Sequence, residues 1–527
     1  MKCHQLVLVG ILISIFLGAG AMAQEKLGKV DFPISCSPEA QAQFNRAVAM
    51  LHSFWFPQAP KAFVAVSETD PGCAMAHWGI AISQRANPLV GPPDAAALKR
   101  GLASIEKAKT IGAKTQRERD YINAIELFYK DSDKLDHRTR VLAYEKAMER
   151  LYLAYSQDTE AAVFYALALN EAIDFEDKTY ARQLKAARIL ETVWAKQPEH
   201  PGVLHYLIHS YDFPPLASRG LNTAKRYASV APSAPHALHM PSHVFSMLGM
   251  WQESIKSNRE ALGVAKNYVH AMDFIVYAHL QGAQDGEAKR LLEESAALYK
   301  TQAPTAELTP TGGVLTVHTA FAAIPARYAI ERGAWADAAV LQPRPSTPAA
   351  DAITYFTRAM GAARNRDVNG ARKDIEQLES LKNTLTTAKQ KYWADQVEIQ
   401  RRAAAAWVAH ADGKKAEALK SMRSAAALED ASEKHVAMEN RLWPMRELLA
   451  ELLLQMNEPA QALKEFEASF KAAPNRFRSY YGAAKAAAAM GDQKKAKNYY
   501  EKLVDLCKQA DVERPELMEA KAFLAKK

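Results

Sequence analysis

PGVLHYLIHSYD (residues 201–212) and PHALHMPSHVFS (residues 235–246) lie 34 residues apart and carry histidines in the same two slots, His205 with His209 and His239 with His243. A fixed period of this length marks a repeated helix–turn–helix unit. Leu204, Leu207, Ile208 and Tyr211 take the packing positions of the first copy, and Leu238, Pro241, Ser242 and Phe245 those of the second. Met272, Ile275, Val276 and His279 follow one period later. Each paired histidine stands one residue beyond a packing position, so on a 3.6-residue helix it points to a different face from the one that binds the neighbouring helix. In stacked helix pairs that face lines the concave side of the array, which predicts four imidazoles in one groove.

Further polar residues fall into the same frame. His236 and His270 are another pair 34 residues apart, Asp273 occupies the slot of His239 in the next copy, and Asp212 lies just beyond His209. Pro241 interrupts the second copy, because proline removes a helical hydrogen bond and clashes with the preceding turn; a helix must bend there or begin there. IPARYAIERGAWADA (324–338) mirrors MPSHVFSMLGMWQES (240–254), with Gly eight and Trp ten residues after Pro in both. Arg327 stands in the later copy where His243 stands in the earlier one. His52 and His77 occur singly and are read as packed or solvated side chains.

The chain opens with a basic Lys2, an apolar run from Leu6 to Leu17 and a small-residue end at Ala21-Met22-Ala23, the pattern of a cleavable secretory signal over residues 1–23. No later stretch is apolar enough to span a membrane, so a soluble exported protein, periplasmic or extracellular, is expected. Cys36, Cys73 and Cys507 then remain. In an oxidising compartment Cys36 and Cys73, both in the first helical unit, are the pair expected to close, the alternative being buried free thiols.

Across 527 residues, 67 basic and 59 acidic side chains give a net charge of +8, with both signs interspersed and no basic block laced with aromatics, which disfavours nucleic acid. An apolar fraction of 49% is ample for a continuous core. Length alone suggests several domains, but in a repeat array each unit touches only its neighbours. One solenoid over 24–527 is therefore expected, with irregular repeats over 24–197, the histidine-bearing repeats over 198–285, central helices over 286–440 and regular repeats with a capping helix over 441–527. Ala462 with Ala496 and Phe466 with Tyr500 keep the 34-residue spacing in that last part. There Glu447 with Glu451, and Tyr481 with Lys485, replace the paired histidines, so the fold does not need imidazoles.

The mature chain resembles bacterial exported tetratricopeptide-repeat (TPR) proteins, on the segments LLHSFWF, DPGCAMAHWGIAIS, HPGVLHYLIHSYD, APHALHMPSHVFSMLGMW and IPARYAIERGAW. The resemblance implies an all-α, TPR-like α-solenoid of antiparallel helix pairs wound as a right-handed superhelix. It also implies a matched Cys36–Cys73 pair, and it carries over no catalytic assignment.

Three functions fit these residues. Imidazoles at i and i+4 can hold one ion, and a second pair from the next repeat can complete the set, which makes His205, His209, His239 and His243 candidate ligands for zinc or copper. Asp212, His236, His270, Asp273 and Arg327 are additional groove residues. With an open coordination position and Asp212 or Asp273 as base, metal-dependent hydrolysis would follow. Alternatively the groove is a metal-free scaffold for a protein or peptide partner, or the histidines are polar fillers. No nucleotide cofactor is expected, since G-x-S-x-G, H-E-x-x-H and phosphate-cradling glycine loops are all missing from the sequence.

Overall fold

The computed structural model describes residues 25–302, 304–344, 346–438 and 440–526, and the expected signal segment lies outside them. Helices alternate with short turns throughout, and no strand occurs among the described residues. Successive helices pack against each other in antiparallel pairs, so the chain is a TPR-like α-solenoid.

Local chemistry sets the helix ends. Asp94, Asp136 and Asp158 each accept hydrogen bonds from the first backbone amides of the helix that follows, and Thr115 forms a reciprocal capping box with Glu118. Proline occupies the first turn of Pro38–His52, Pro201–Tyr211 and Pro235–His239, where its missing N–H costs nothing. Some helices are enclosed on every side. Every residue of Pro201–Tyr211 and of Val269–Gln281 is buried, so their histidines and Asp273 are held inside the protein rather than on a solvated face.

The proline-bearing segments resolve differently. At Pro241 the chain ends one helix at His239 and starts another over Pro241–Met247, whereas Pro325 sits inside the continuous helix Val314–Glu331. In both, the glycine eight residues on, Gly249 and Gly333, takes a left-handed φ of +65° and +64°. The shared spacing thus encodes the turn to the next helix rather than the proline geometry.

Cys36 and Cys73 are bonded, with sulfurs 2.06 Å apart, and join the approach to Pro38–His52 to the start of Ala74–Ser83. Cys507 is buried and free. No helix among the described residues is long and apolar enough to cross a membrane.

The inner face is not an open groove beside the histidines. The segment 432–443, between Lys415–Asp430 and Met445–Gln455, folds back onto residues far earlier in the chain. Glu433 N–H donates to the Phe175 carbonyl (2.7 Å), its carboxylate takes Lys178 (2.7 Å) and the Tyr180 hydroxyl, and Lys434 pairs with Asp212 (2.8 Å). Arg327, fully buried, donates to the carbonyls of Asn440 and Arg441 and holds Asp273 at 2.8 Å. A loop from the C-terminal half therefore fills the space the repeats enclose.

Candidate metal centre

Six histidines from four helices meet behind that loop. His205 and His209 come from Pro201–Tyr211, His236 and His239 from Pro235–His239, His243 from Pro241–Met247 and His270 from Val269–Gln281. None is more than 5% exposed. They divide into two sets of three, His205 with His209 and His236, and His239 with His243 and His270; within each set the candidate ligand atoms lie within 4.8 Å of one another. The sequence spacing predicts one set of four facing an open groove; the structure instead groups His236 with His205 and His209, and His270 with His239 and His243.

Each set is backed by one phenylalanine. The Phe54 ring lies 4.4 Å from His205 and 5.7 Å from His236, and Phe274 lies 4.8, 5.2 and 5.1 Å from His239, His243 and His270, centroid to centroid. The two sets adjoin, with His209 and His243 centroids 5.8 Å apart and His236 and His239 5.7 Å apart. Phe54 holds a positive φ of 49°, a conformation rarely adopted by an aromatic residue and sustained here by complete enclosure.

Hydrogen bonds at the outward nitrogens fix the tautomers. His205 Nδ1 donates to the His52 backbone carbonyl (2.6 Å), at the C-terminal end of Pro38–His52 where helix carbonyls lack internal partners. Gly202 permits that approach, since a Cβ there would come within 2.6 Å of the His52 ring. His239 Nδ1 donates to Asn258 Oδ1 (2.5 Å), and Asn258 is oriented by its own amide donating to the Ser254 carbonyl. His243 Nδ1 donates to Asp212 Oδ2 (2.8 Å). In all three rings Nδ1 thus carries a proton.

The Nε2 atoms then converge. His205 Nε2 lies 3.1 Å from His209 Nε2 and 3.2 Å from His236 Nε2, and His239 Nε2 lies 3.0 Å from His243 Nε2. Two nitrogens bound to one ion at about 2.0–2.1 Å stand about 2.9 Å apart at a right angle and about 3.4 Å apart at the tetrahedral angle. At 3.0 Å the His239 and His243 Nε2 atoms stand at the spacing that two ligands of one ion would take. Burial pushes the His205 and His270 imidazoles down to about 3, and burial together with neighbouring imidazoles holds His209, His236 and His239 well below the ordinary range. Neutral rings are the ligating form.

The expected additional residues act otherwise. Asp212 accepts from His243 and Lys434, and so orients a ring rather than facing the ion site. Asp273 and Arg327 pair with each other. Neither carboxylate is placed as a base.

His52, a lone histidine by its spacing, anchors a third buried group. His52 Nε2 and His200 Nε2 donate to the two oxygens of Glu160, each at 2.8 Å. His52 Nδ1 accepts from the Tyr206 hydroxyl (2.9 Å) and His200 Nδ1 from the Val203 amide (3.3 Å). Every ring nitrogen is used. No periodicity links residues 52, 160 and 200, so spacing gave no signal for this group. Asn258 and the 432–443 loop carry no pattern either.

No family model matches this chain, and no curated protein matches its sequence. Among solved structures it is similar to a chain of "Structure of Naa15/Naa10 bound to HypK-THB", at 14% identity over 92% of this chain and 73% of that one, TM-score 0.26. It is also similar to a chain of "Human IFIT1 dimer with PPP-AAAA", at 12% identity over 90% of this chain and 96% of that one, TM-score 0.40. Likeness this loose places no ligand or partner on this chain.

Proposed function

We propose that this protein binds two transition-metal ions side by side, one in each tri-histidine set. The reading rests on the convergence of ring nitrogens within each set, where Nε2 atoms approach one another to 3.0–3.2 Å. Three imidazole donors in each set suit copper or zinc, and three protein ligands leave a position on each ion for an outside molecule. Copper(II) takes the sites when both metals are offered at equal activity, following the general affinity order. Asn258, Asp212 and the His52 carbonyl hold the rings; the 432–443 loop keeps bulk water away.

Metal analysis of the full chain after loading and desalting tests this. Two equivalents per chain are expected. His270→Ala should retain one, and His205→Ala combined with His270→Ala none, with helical circular dichroism unchanged in each. A folded wild-type chain that retains no metal would overturn the proposal.

A further inference from the structure

The two tri-histidine sets are spaced as one shell. Within a set, contacting rings stand from 4.8 Å (His205–His209) to 6.3 Å (His243–His270) apart, centroid to centroid. Across the boundary His209 and His243 stand at 5.8 Å and His236 and His239 at 5.7 Å, inside that range. Rings this close leave no room for a side chain between them, so ions in the two sets are direct neighbours and one small molecule can reach both. Two-metal sites of this kind hold their ions about 3.5–4 Å apart.

The surroundings select that molecule. None of the six rings is more than 5% exposed, and Phe54 and Phe274 pack against them. The carboxylates flanking the rings are engaged, Asp212 with His243 and Lys434 and Asp273 with Arg327, which leaves neither to take a proton from water or a substrate. A cavity of about 190 Å³ has His209 in its wall and an apolar lining that includes Leu89, Val141, Ile173 and Phe213. The charges around it oppose one another: Asp212 meets Lys434, Glu171 meets Arg85, and Arg138 lies near Asp174, Glu145 and Glu171. An enclosed, largely apolar approach with balanced charge admits a small uncharged molecule and needs chemistry without proton transfer.

We propose that the two ions are copper and act as one centre whose ligand is dioxygen. This rests on the two-metal reading above and names the molecule at its open positions. Two copper(I) ions give up one electron each and dioxygen takes both, ending as peroxide held between two copper(II) ions. The oxygen–oxygen double bond becomes single, a copper–oxygen bond forms at each end, and no proton moves. Zinc, which has no second oxidation state to offer, cannot substitute.

The full chain, loaded anaerobically with copper(I) and desalted, is opened to dioxygen while uptake, copper content and the electron paramagnetic resonance of copper(II) are read on the same sample. One dioxygen is expected per two coppers, with catalase returning none of it. The copper(II) resonance should be nearly absent, because a shared ligand pairs the two unpaired spins. His270→Ala, which removes a ligand from one set, should keep one copper, lose the uptake of one dioxygen per chain and show its copper(II) resonance in full once oxidised. A zinc-loaded chain should take up none. Two coppers retained with no uptake, with half the dioxygen returned by catalase, or with a full copper(II) resonance would overturn this inference and leave the two-metal proposal standing. A folded chain that keeps no copper would remove both.

Discussion

Two buried histidine groups lie within one helix of each other and differ in where their second nitrogens go. In the Glu160 group each imidazole gives its proton to a carboxylate and takes one from Tyr206 or Val203, so the network is closed. In the six-histidine group the outward nitrogens are tied to a carbonyl, an amide oxygen and a carboxylate, and the inward Nε2 atoms converge to 3.0–3.2 Å of one another. Both contain three candidate ligands close together, and all are buried. Proximity and burial therefore do not separate a ligand from a structural imidazole; the bond made by the other nitrogen does. The C-terminal repeats give a third solution, in which Glu447 meets Arg476 at 2.8 Å and Glu451 meets Arg478 and Arg364 at 2.8 and 2.7 Å. There the buried charges neutralise one another and no ion is called for.

If the contrast is right, the two groups fail differently. Glu160→Ala leaves two buried imidazoles without their acceptor and should cost about 3–5 kcal/mol in denaturant unfolding, the range for breaking one side of a buried ionic network. Chelation of the loaded wild type should lower stability by about 2.7 kcal/mol for each of the two sites, relative to metal held at a hundredfold above its dissociation constant. The same chelator should leave Glu160→Ala and wild type differing as before. An unfolding midpoint insensitive to chelator would contradict the assignment of the six-histidine group.

Asn258→Ala touches no ion, yet should weaken metal affinity about 10- to 100-fold through the freed His239 ring, read by competition with a chromophoric chelator. An unchanged affinity would mean that ring orientation is set by packing alone.

Stability should also depend on pH. Folding lowers His205 and His270 from 6.5 to about 3, so between those values the unfolded chain binds more protons than the folded one. Stability of the metal-free chain is full above about 6.5 and is lost as pH falls, by about 1.4 kcal/mol per unit for each ring. Flat stability from pH 7 to 4.5 would show that these rings are hydrated or already charged.

Much of this was legible in the sequence, for identifiable reasons. The 34-residue spacing reports a local packing constraint that recurs in every repeat, and it placed His205, His209, His239 and His243 together and noticed His236 with His270. It gave no direction at Pro241, where the helix restarts and regroups four ligands into two sets of three. What lies beyond it is long-range. Lys434 reaches Asp212 across more than two hundred residues from a loop outside any repeat, and that contact closes the face that spacing alone predicts to be open. His52 resembled a solitary packed ring because its partners, Glu160 and His200, share no period with it.

Anomalous scattering from a copper- or zinc-loaded crystal tests the central claim most directly. Two peaks are expected, each about 2.0–2.1 Å from three imidazole nitrogens, one at His205, His209 and His236 and one at His239, His243 and His270. A peak at His52, Glu160 and His200, or none at either tri-histidine set, would contradict the account.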